Sequence, residues 1–277
     1  MAIELATQYL QYVDEIFSTE SRRDLVTNQD FDWTGAHTVK IYRISTSNMN
    51  DYDRVGDGPN ISRYGPIERL GATTQEMTLR KDRSFTFAID RLDEDETKRN
   101  LQAGTALARQ LREVIIPEVD SWTYAQMIEN AGLIAPPIEI TSDNLYELII
   151  SGNNALDNSE VTETGRNIIV TPDVYMTLKK DRNVILETDI GNELRLRGVI
   201  AMLDGLNIIR VPANRLPDDF GFMIVHPVAT VNPVKLESYL IHKNPPFING
   251  DLIEGRINYD AFVMDNKAEA IYYQAQV

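Results

Sequence analysis

The 277-residue sequence predicts an α+β fold. Three observations carry the prediction. Strand-like alternation flanks a long turn-rich stretch between residues 38 and 91, a strongly signalled long helix follows directly, and short apolar strands dominate the C-terminal part after a mixed helix and strand segment. The 43% hydrophobic content is that of a folded globular chain rather than a disordered one.

Residues 1–36 begin with Leu10, Val13 and Ile16 at helical spacing, which predicts a short helix. The polar continuation through Thr27, Asn28, Asp30 and Gly35 reads as an extended arm that needs a partner, because terminal segments without packing are loose. Residues 37–90 read as an extended loop. Its first strand is Thr38 to Met49, and its second ends in Phe85, Phe87 and Ile89, alternating with Ser84, Thr86 and Asp90. Between them lie turn formers such as Asp53, Gly56, Asp57, Gly58, Pro59, Gly65 and Pro66. A structureless stretch of that length inside a compact domain marks either a functional loop or a disordered one. It has no core of its own, so a surface outside the subunit is expected to cover it.

Residues 91–132 predict one long helix. Asp93 is placed to cap it, and Glu96 has the capping-box spacing. Leu101, Leu107, Leu111, Val114, Ile115, Trp122 and Met127 then follow at helical intervals. Pro117 should kink it and Gly132 should end it. At 1.5 Å per residue such a helix spans roughly 55 Å. Residues 142–225 read as a mixed unit. Its helices are predicted over 144–151 and 172–180 and its strands over 167–170 and 206–211, while residues 194–203 are ambiguous. Strands are predicted over 222–225, 229–231, 237–242, 255–263 and 271–274.

Several function classes lack their signatures. There is no cysteine, hence no disulfide or thiolate site. No G-x-S-x-G elbow, P-loop or G-x-G-x-x-G is present. His37, His226 and His242 are scattered, Gly56-Asp57-Gly58 reads as a turn, and the acidic run from Asp93 to Glu96 is explained by the helix start. No cofactor or metal is expected. No apolar run approaches a membrane span, and the N-terminus lacks a basic start, so synthesis in the cytoplasm is expected. The net charge of −15 argues against a DNA-reading surface. Within the loop, Arg54, Arg63, Arg69, Arg80, Lys81 and Arg83 form a basic set. They could lie on the acidic helix start of a neighbouring copy, at Glu94, Asp95 and Glu96, where charge complementarity would fix register.

The chain resembles the major capsid proteins of tailed bacteriophages, the Johnson fold also used by encapsulin shells. The resemblance rests on the phrases MTLRKDRSFTFAIDRLDEDET (77–97), ALARQLREVIIPEVD (106–120), RNIIVTPDVYMTLKKD (166–181), LDGLNIIRVPANRLP (203–217) and FMIVHPVATVNPVKLESYLIHKNPPFINGDLIEGRINYDAFVMDNK (222–267). These phrases are similar to those of phages and prophages of Gram-positive hosts. The resemblance implies an N-terminal arm (1–36), an extended β-hairpin loop overlapping an adjacent subunit (37–90) and the spine helix of a peripheral domain (91–132). It further implies an axial domain (133–222, with crossover segments) and closing strands that return to the peripheral domain (223–277). It also implies a structural protein, not an enzyme, that self-assembles through pentamers and hexamers into an icosahedral head around double-stranded DNA. Residues 1–36 leave no room for a built-in scaffolding helix, so a separate scaffold protein is expected, with a portal and packaged DNA as virion partners. Lys81 has no matching Glu and Asn motif, so no isopeptide cross-link is expected. The alternatives are an encapsulin-like compartment enclosing a protein cargo and a cytosolic α+β enzyme.

Overall fold

In the computed structural model the chain divides into two compact units, Ala36–Thr78 and the remainder. The described residues are 21–28, 38–44, 47–56, 62–67, 69, 71–92, 103–180 and 202–277. The smaller unit holds strands β1 (Thr38–Ile44) and β2 (Ala72–Thr78), paired antiparallel from Thr38 opposite Thr78 to Ile44 opposite Ala72. The return strand of the loop is therefore β2, and the strand read from Phe85, Phe87 and Ile89 belongs elsewhere. That strand is β3 (Lys81–Asp90), which forms one edge of a three-stranded antiparallel sheet. The compact loop unit ends at Thr78, not at residue 90.

The partners of β3 come from the far end of the chain, β10 (Val234–Lys243) and β11 (Gly250–Tyr259), in the order β10-β11-β3. Their inward residues Ile89, Tyr239, Ile253 and Ile257 pack on the spine, with Phe85 and Phe87 beside them. The spine comprises α1 (Ala103–Gln110), a π-helical turn (Leu111–Ile115) and α2 (Ile116–Glu129). It contributes Leu107, Leu111, Ile115, Ile116 and Val119 to this core. The kink expected at Pro117 takes the form of the π turn just before it. Proline has no N–H and its ring crowds the carbonyl one turn earlier, and a widened turn accommodates both. The Asp93 cap and the acidic run lie outside the described residues. Gly132 is needed for a different reason than helix termination, since the Asn130 amide already bonds back to Gln126 O. The Gly132 amide donates to Ala268 O at 2.9 Å, and a Cβ there would sit 2.5 Å from the Ala268 backbone.

A six-stranded sheet forms the second centre. After α2 come β4 (Leu133–Ala135), α3 (Leu145–Asn158), β5 (Asn167–Val170), α4 (Pro172–Lys180), β6 (Met202–Leu203), β7 (Leu206–Arg210) and β8 (Phe220–Val225). The chain closes with β9 (Thr230–Val231), β12 (Phe262–Val263) and β13 (Ile271–Ala275), where β9 and β12 form a small pair. The sheet order is β4-β13-β8-β5-β7-β6, with β5 parallel to β7 and β13 parallel to β4. Every residue of β5 and β8 is buried, because both faces are covered. Ile168, Val170, Phe222, Ile224 and Tyr272 face Leu145, Ile149 and Leu156 of α3 and Val174 and Leu178 of α4. Ile169, Met223, Val225, Ile271 and Tyr273 face Tyr124 and Met127 of α2. The closing strands thus divide: β10 and β11 join the spine sheet, whereas β13 pairs with β8 in the six-stranded sheet.

The N-terminal segment 21–28 does not await an outside partner. Val26 is fully buried, the Asn28 amide donates to Thr230 O at 2.7 Å, and Asn167 Nδ2 donates to Leu25 O at 2.8 Å. The predicted helix around Leu10 to Ile16 lies outside the described residues.

Candidate assembly surfaces

Hydrogen bonds hold the described turns at the tip of the loop unit. The Asp53 carboxylate accepts the amides of Val55 at 3.0 Å and Gly56 at 2.7 Å, and the Asp53 amide donates to Arg63 O at 2.9 Å. This Asx turn uses the carboxylate that a calcium loop would have offered to a cation. Gly56 has φ 80°, and a Cβ on it would lie 3.1 Å from Arg63 Nη2, so the Arg63 side chain passes directly over it. The Tyr52 and Tyr64 rings meet edge to face with centroids 5.1 Å apart. Met49, Val55, Tyr64 and Ile67 are 98%, 76%, 78% and 86% exposed, so these turns hold apolar side chains outward. Arg54, Arg63 and Arg69 are exposed as well.

The other three cations of the predicted basic set belong to the body, where each has a partner in its own chain. Asp260 is fully buried, and its carboxylate accepts the Arg80 amide at 2.9 Å, Arg80 Nε at 3.0 Å, Trp122 Nε1 at 2.8 Å and the Ala261 amide at 2.9 Å. Arg80 Nη2 also donates to Gln126 Oε1 at 2.8 Å. Lys81 Nζ lies 3.9 Å from the Trp122 ring centroid, a cation–π contact. Arg83 Nε donates to Glu118 Oε1 at 2.7 Å. Arg80, Lys81 and Arg83 therefore fasten the start of β3 to the spine. Glu94, Asp95 and Glu96 lie outside the described residues.

A second buried carboxylate fastens the N-terminal segment. Asp120 on α2 is 1% exposed, and it accepts Ser21 Oγ at 2.7 Å and Arg215 Nη1 at 2.8 Å. Burial raises its pKa above the usual 3.8, outweighing the Ser21 hydrogen bond and the charges of Arg23 and Arg215. A carboxyl whose folded pKa is raised binds its proton more tightly when docked. Its contribution to stability therefore grows as pH falls through the folded value, and it levels off below about 3.8. Amide protection of residues 21–28 in hydrogen exchange, corrected for intrinsic rate, should increase over that fall. Asp120→Asn should remove the increase, and an unchanged profile in the variant would assign the effect to other groups.

The two described histidines each have a hydrogen-bond partner within the chain. His226 Nδ1 accepts the Val228 amide at 3.2 Å and its Nε2 lies 3.1 Å from Thr164 O, while His242 Nε2 lies 3.2 Å from Glu254 Oε2. A shallow depression on the outer face of the spine sheet is lined by Ser84, Thr86, Ser238, Leu240, Glu254 and Arg256. Among the described residues no group of three or more His, Cys, Asp or Glu is placed to hold a metal, and no helix is long and apolar enough to cross a membrane.

No family model matches the chain. A GTPase Obg of Clostridium botulinum is 27% identical over 127 residues, which cover 45% of this chain and 28% of that protein. The chain thus spans less than a third of the length of this curated relative. Solved structures match far more of it. One of Mycobacterium phage Che8 has TM-score 0.70 at 19% identity, covering 87% of this chain and 84% of the other. The capsid structure of the cyanophage P-SCSP1u has TM-score 0.69 at 12% identity, covering 92% and 87%. A virus-like particle from Pyrococcus furiosus has TM-score 0.60 at 13% identity, covering 98% and 99%. On this likeness, which covers 87–92% of the chain, the protein has the Johnson fold of bacteriophage major capsid proteins.

Proposed function

We propose that the chain is a capsid shell protein of the virion, assembling through pentamers and hexamers into an icosahedral head around double-stranded DNA. The observation that carries this reading is the nearly full-length likeness to phage capsids, 92% of the chain for the cyanophage capsid. In this reading the spine and the β10-β11-β3 sheet form the peripheral domain. The six-stranded sheet with α3 and α4 forms the axial domain at the capsomer centre, and the β1–β2 ribbon overlaps an adjacent subunit. Many modest interfaces, repeated by symmetry, hold the shell. A separate scaffold protein and a portal are its assembly partners. DNA is enclosed without sequence reading, and the net charge of −15 keeps an inner wall from trapping it. The role is structural rather than catalytic. The partial likeness to GTPase Obg supports no nucleotide chemistry, since the sequence holds no G-x-x-x-x-G-K-[S/T].

A second reading, an encapsulin-like compartment, is favoured by the Pyrococcus particle, which is covered over 99% of its length. One experiment separates the readings. The chain, expressed in bacteria with and without its candidate scaffold, should give capsomers or shells in size-exclusion chromatography and negative-stain microscopy. Nuclease-protected DNA inside particles from infected or induced cells supports the phage head. A co-purifying enzyme in place of DNA supports the compartment, and a persistent small particle rejects both.

A further inference from the structure

We infer that Asn249 is a site of self-modification, where the Gly250 backbone nitrogen attacks the side-chain amide and an aspartyl or isoaspartyl residue is left. The inference goes beyond the capsid reading and does not depend on it. Asn249 is the only asparagine of the 277-residue chain that a glycine follows. An asparagine closes a five-membered ring on the next backbone nitrogen most readily when that nitrogen is uncrowded, and glycine, with no Cβ, crowds it least.

The turn between β10 and β11 fixes the pair in place. Gly250 has φ 156°, and a Cβ on it would lie 2.0 Å from Ile89 O, so no other residue fits there. The Asn249 side chain is exposed. Asn249 O accepts the Arg91 amide at 3.0 Å, which makes Asn249 and Arg91 a bonded pair of the ladder. Antiparallel pairs alternate, so Gly250 opposite Asp90 is a non-bonded pair, and the Gly250 N–H is not spent on β3. On the other side the Asn244 amide donates to Gly250 O at 2.8 Å, and Asn244 has φ 47°, where the extended run of β10 has ended. The tip beyond is weakly held. Phe247 is fully exposed and has φ 74°, a conformation that strains a bulky residue. A strained tip without core packing opens at little cost, and the attack needs only that local freedom.

In the step, the Gly250 nitrogen gives its proton to a base in solution and bonds to Asn249 Cγ, which closes a succinimide. The Cγ–Nδ2 bond breaks, and the side-chain nitrogen takes a proton from solvent and leaves as ammonia. Water then opens the ring at either carbonyl. Opening at Cγ leaves aspartate, and opening at the backbone carbonyl leaves isoaspartate, with one more methylene in the chain path. Water is the only co-reactant. Either product adds a negative charge next to Asp251 and near Asp90, which lies opposite Gly250. Like charges so placed repel. In the isoaspartyl product the carbonyl that received the Arg91 amide becomes a free carboxylate, so the change falls where the chain leaves β3.

The test incubates the full chain at physiological temperature and follows each asparagine by peptide mapping with mass spectrometry. The peptide holding Asn249 should show the one-dalton gain of an amide-to-acid exchange and become a substrate for an isoaspartyl methyltransferase. Conversion should be faster at mildly alkaline than at mildly acidic pH, because the deprotonated nitrogen attacks. Its rate in the folded chain should lie within about tenfold of that in the urea-unfolded chain, since loop tips sit at the low-stability end of a fold. Asn158, which serine follows at the end of α3, should convert more slowly. Asn249→Gln would have to close a six-membered ring, so it should lose the gain while melting with the wild type. If the folded chain keeps Asn249 intact while the unfolded chain converts, the hairpin protects the pair and the proposal falls. If the isoaspartyl signal survives in Asn249→Gln, its source lies elsewhere and the assignment falls.

Discussion

Replacing Asp260 by alanine should destabilise the body by about 3–5 kcal/mol, because it removes the single acceptor group that joins β3, α2 and the end of β11. The carboxylate is fully buried and receives two backbone amides, an indole N–H and a guanidinium. Without it, Trp122 Nε1 and the Arg80 and Ala261 amides lose this acceptor in a dry site, and each such loss costs about 1–3 kcal/mol. For a chain of this size the midpoint of thermal unfolding should fall by roughly 10 °C. Removing the other partner should be milder. The Arg80 side chain is 54% exposed, so alanine there leaves Asp260 with Trp122 and two amides, and the cost should be nearer 1 kcal/mol. Asp260→Asn keeps one carbonyl acceptor and should fall between the two. Differential scanning calorimetry on the three variants checks the order. Equal losses for Asp260→Ala and Arg80→Ala would mean that the ion pair itself, and not the buried acceptor, supplies the stability.

Asp260 also shows where the sequence stops being legible. Nothing around it, in Asn258-Tyr259-Asp260-Ala261, distinguishes a buried acceptor from a solvated strand end. Its donors lie 180 residues away at Arg80 and 138 residues away at Trp122. Local patterns report which face a residue occupies, and they carry no information about which strand lies beside it. For this reason the alternation of Phe85, Phe87 and Ile89 revealed β3 while its partners β11 and β10 stayed hidden. The loop was then closed with the wrong return strand, and three cations were counted in a unit to which they do not belong. The strand that does close it, Ala72 to Thr78, reads ATTQEMT, with few apolar residues to mark a face.

Where structure is decided locally, the sequence was sufficient. Asn167 to Val170 is uniformly apolar after Asn167, as a strand covered on both faces must be. Pro172 opens α4 at the position proline favours, and Lys179 and Lys180 close it at the negative end of the helix dipole. Pro117 announced a disturbance of the spine, though the choice of a π turn over a bend depends on how the spine packs. The candidate surfaces were half legible. The turn formers marked the tip, but the outward side chains of Met49, Val55, Tyr64 and Ile67 are ordinary in sequence and distinctive only once seen uncovered.

Exchanging residues 47–69 for a short Gly/Ser turn should leave the body's melting temperature within about 2 °C of wild type and abolish closed shells. The first expectation follows from the division of contacts. The three apolar clusters that hold the body draw on none of the residues removed. The β1–β2 ribbon retains its register from Thr38–Thr78 to Ile44–Ala72, and shortening its connection lowers loop-closure entropy slightly. The second expectation follows from what the tip lacks. A two-stranded ribbon is marginal in water unless a further surface covers it. Calorimetry of the isolated chain and microscopy of assembly reactions read the two expectations separately. A variant that melts normally and still closes uniform shells refutes the arm's role, because the interface would then have to lie wholly within the body. A variant whose body unfolds refutes instead the independence of the two units. The combination expected here, a normal melt with open or absent assemblies, is the outcome in which residues 47–69 act only between subunits.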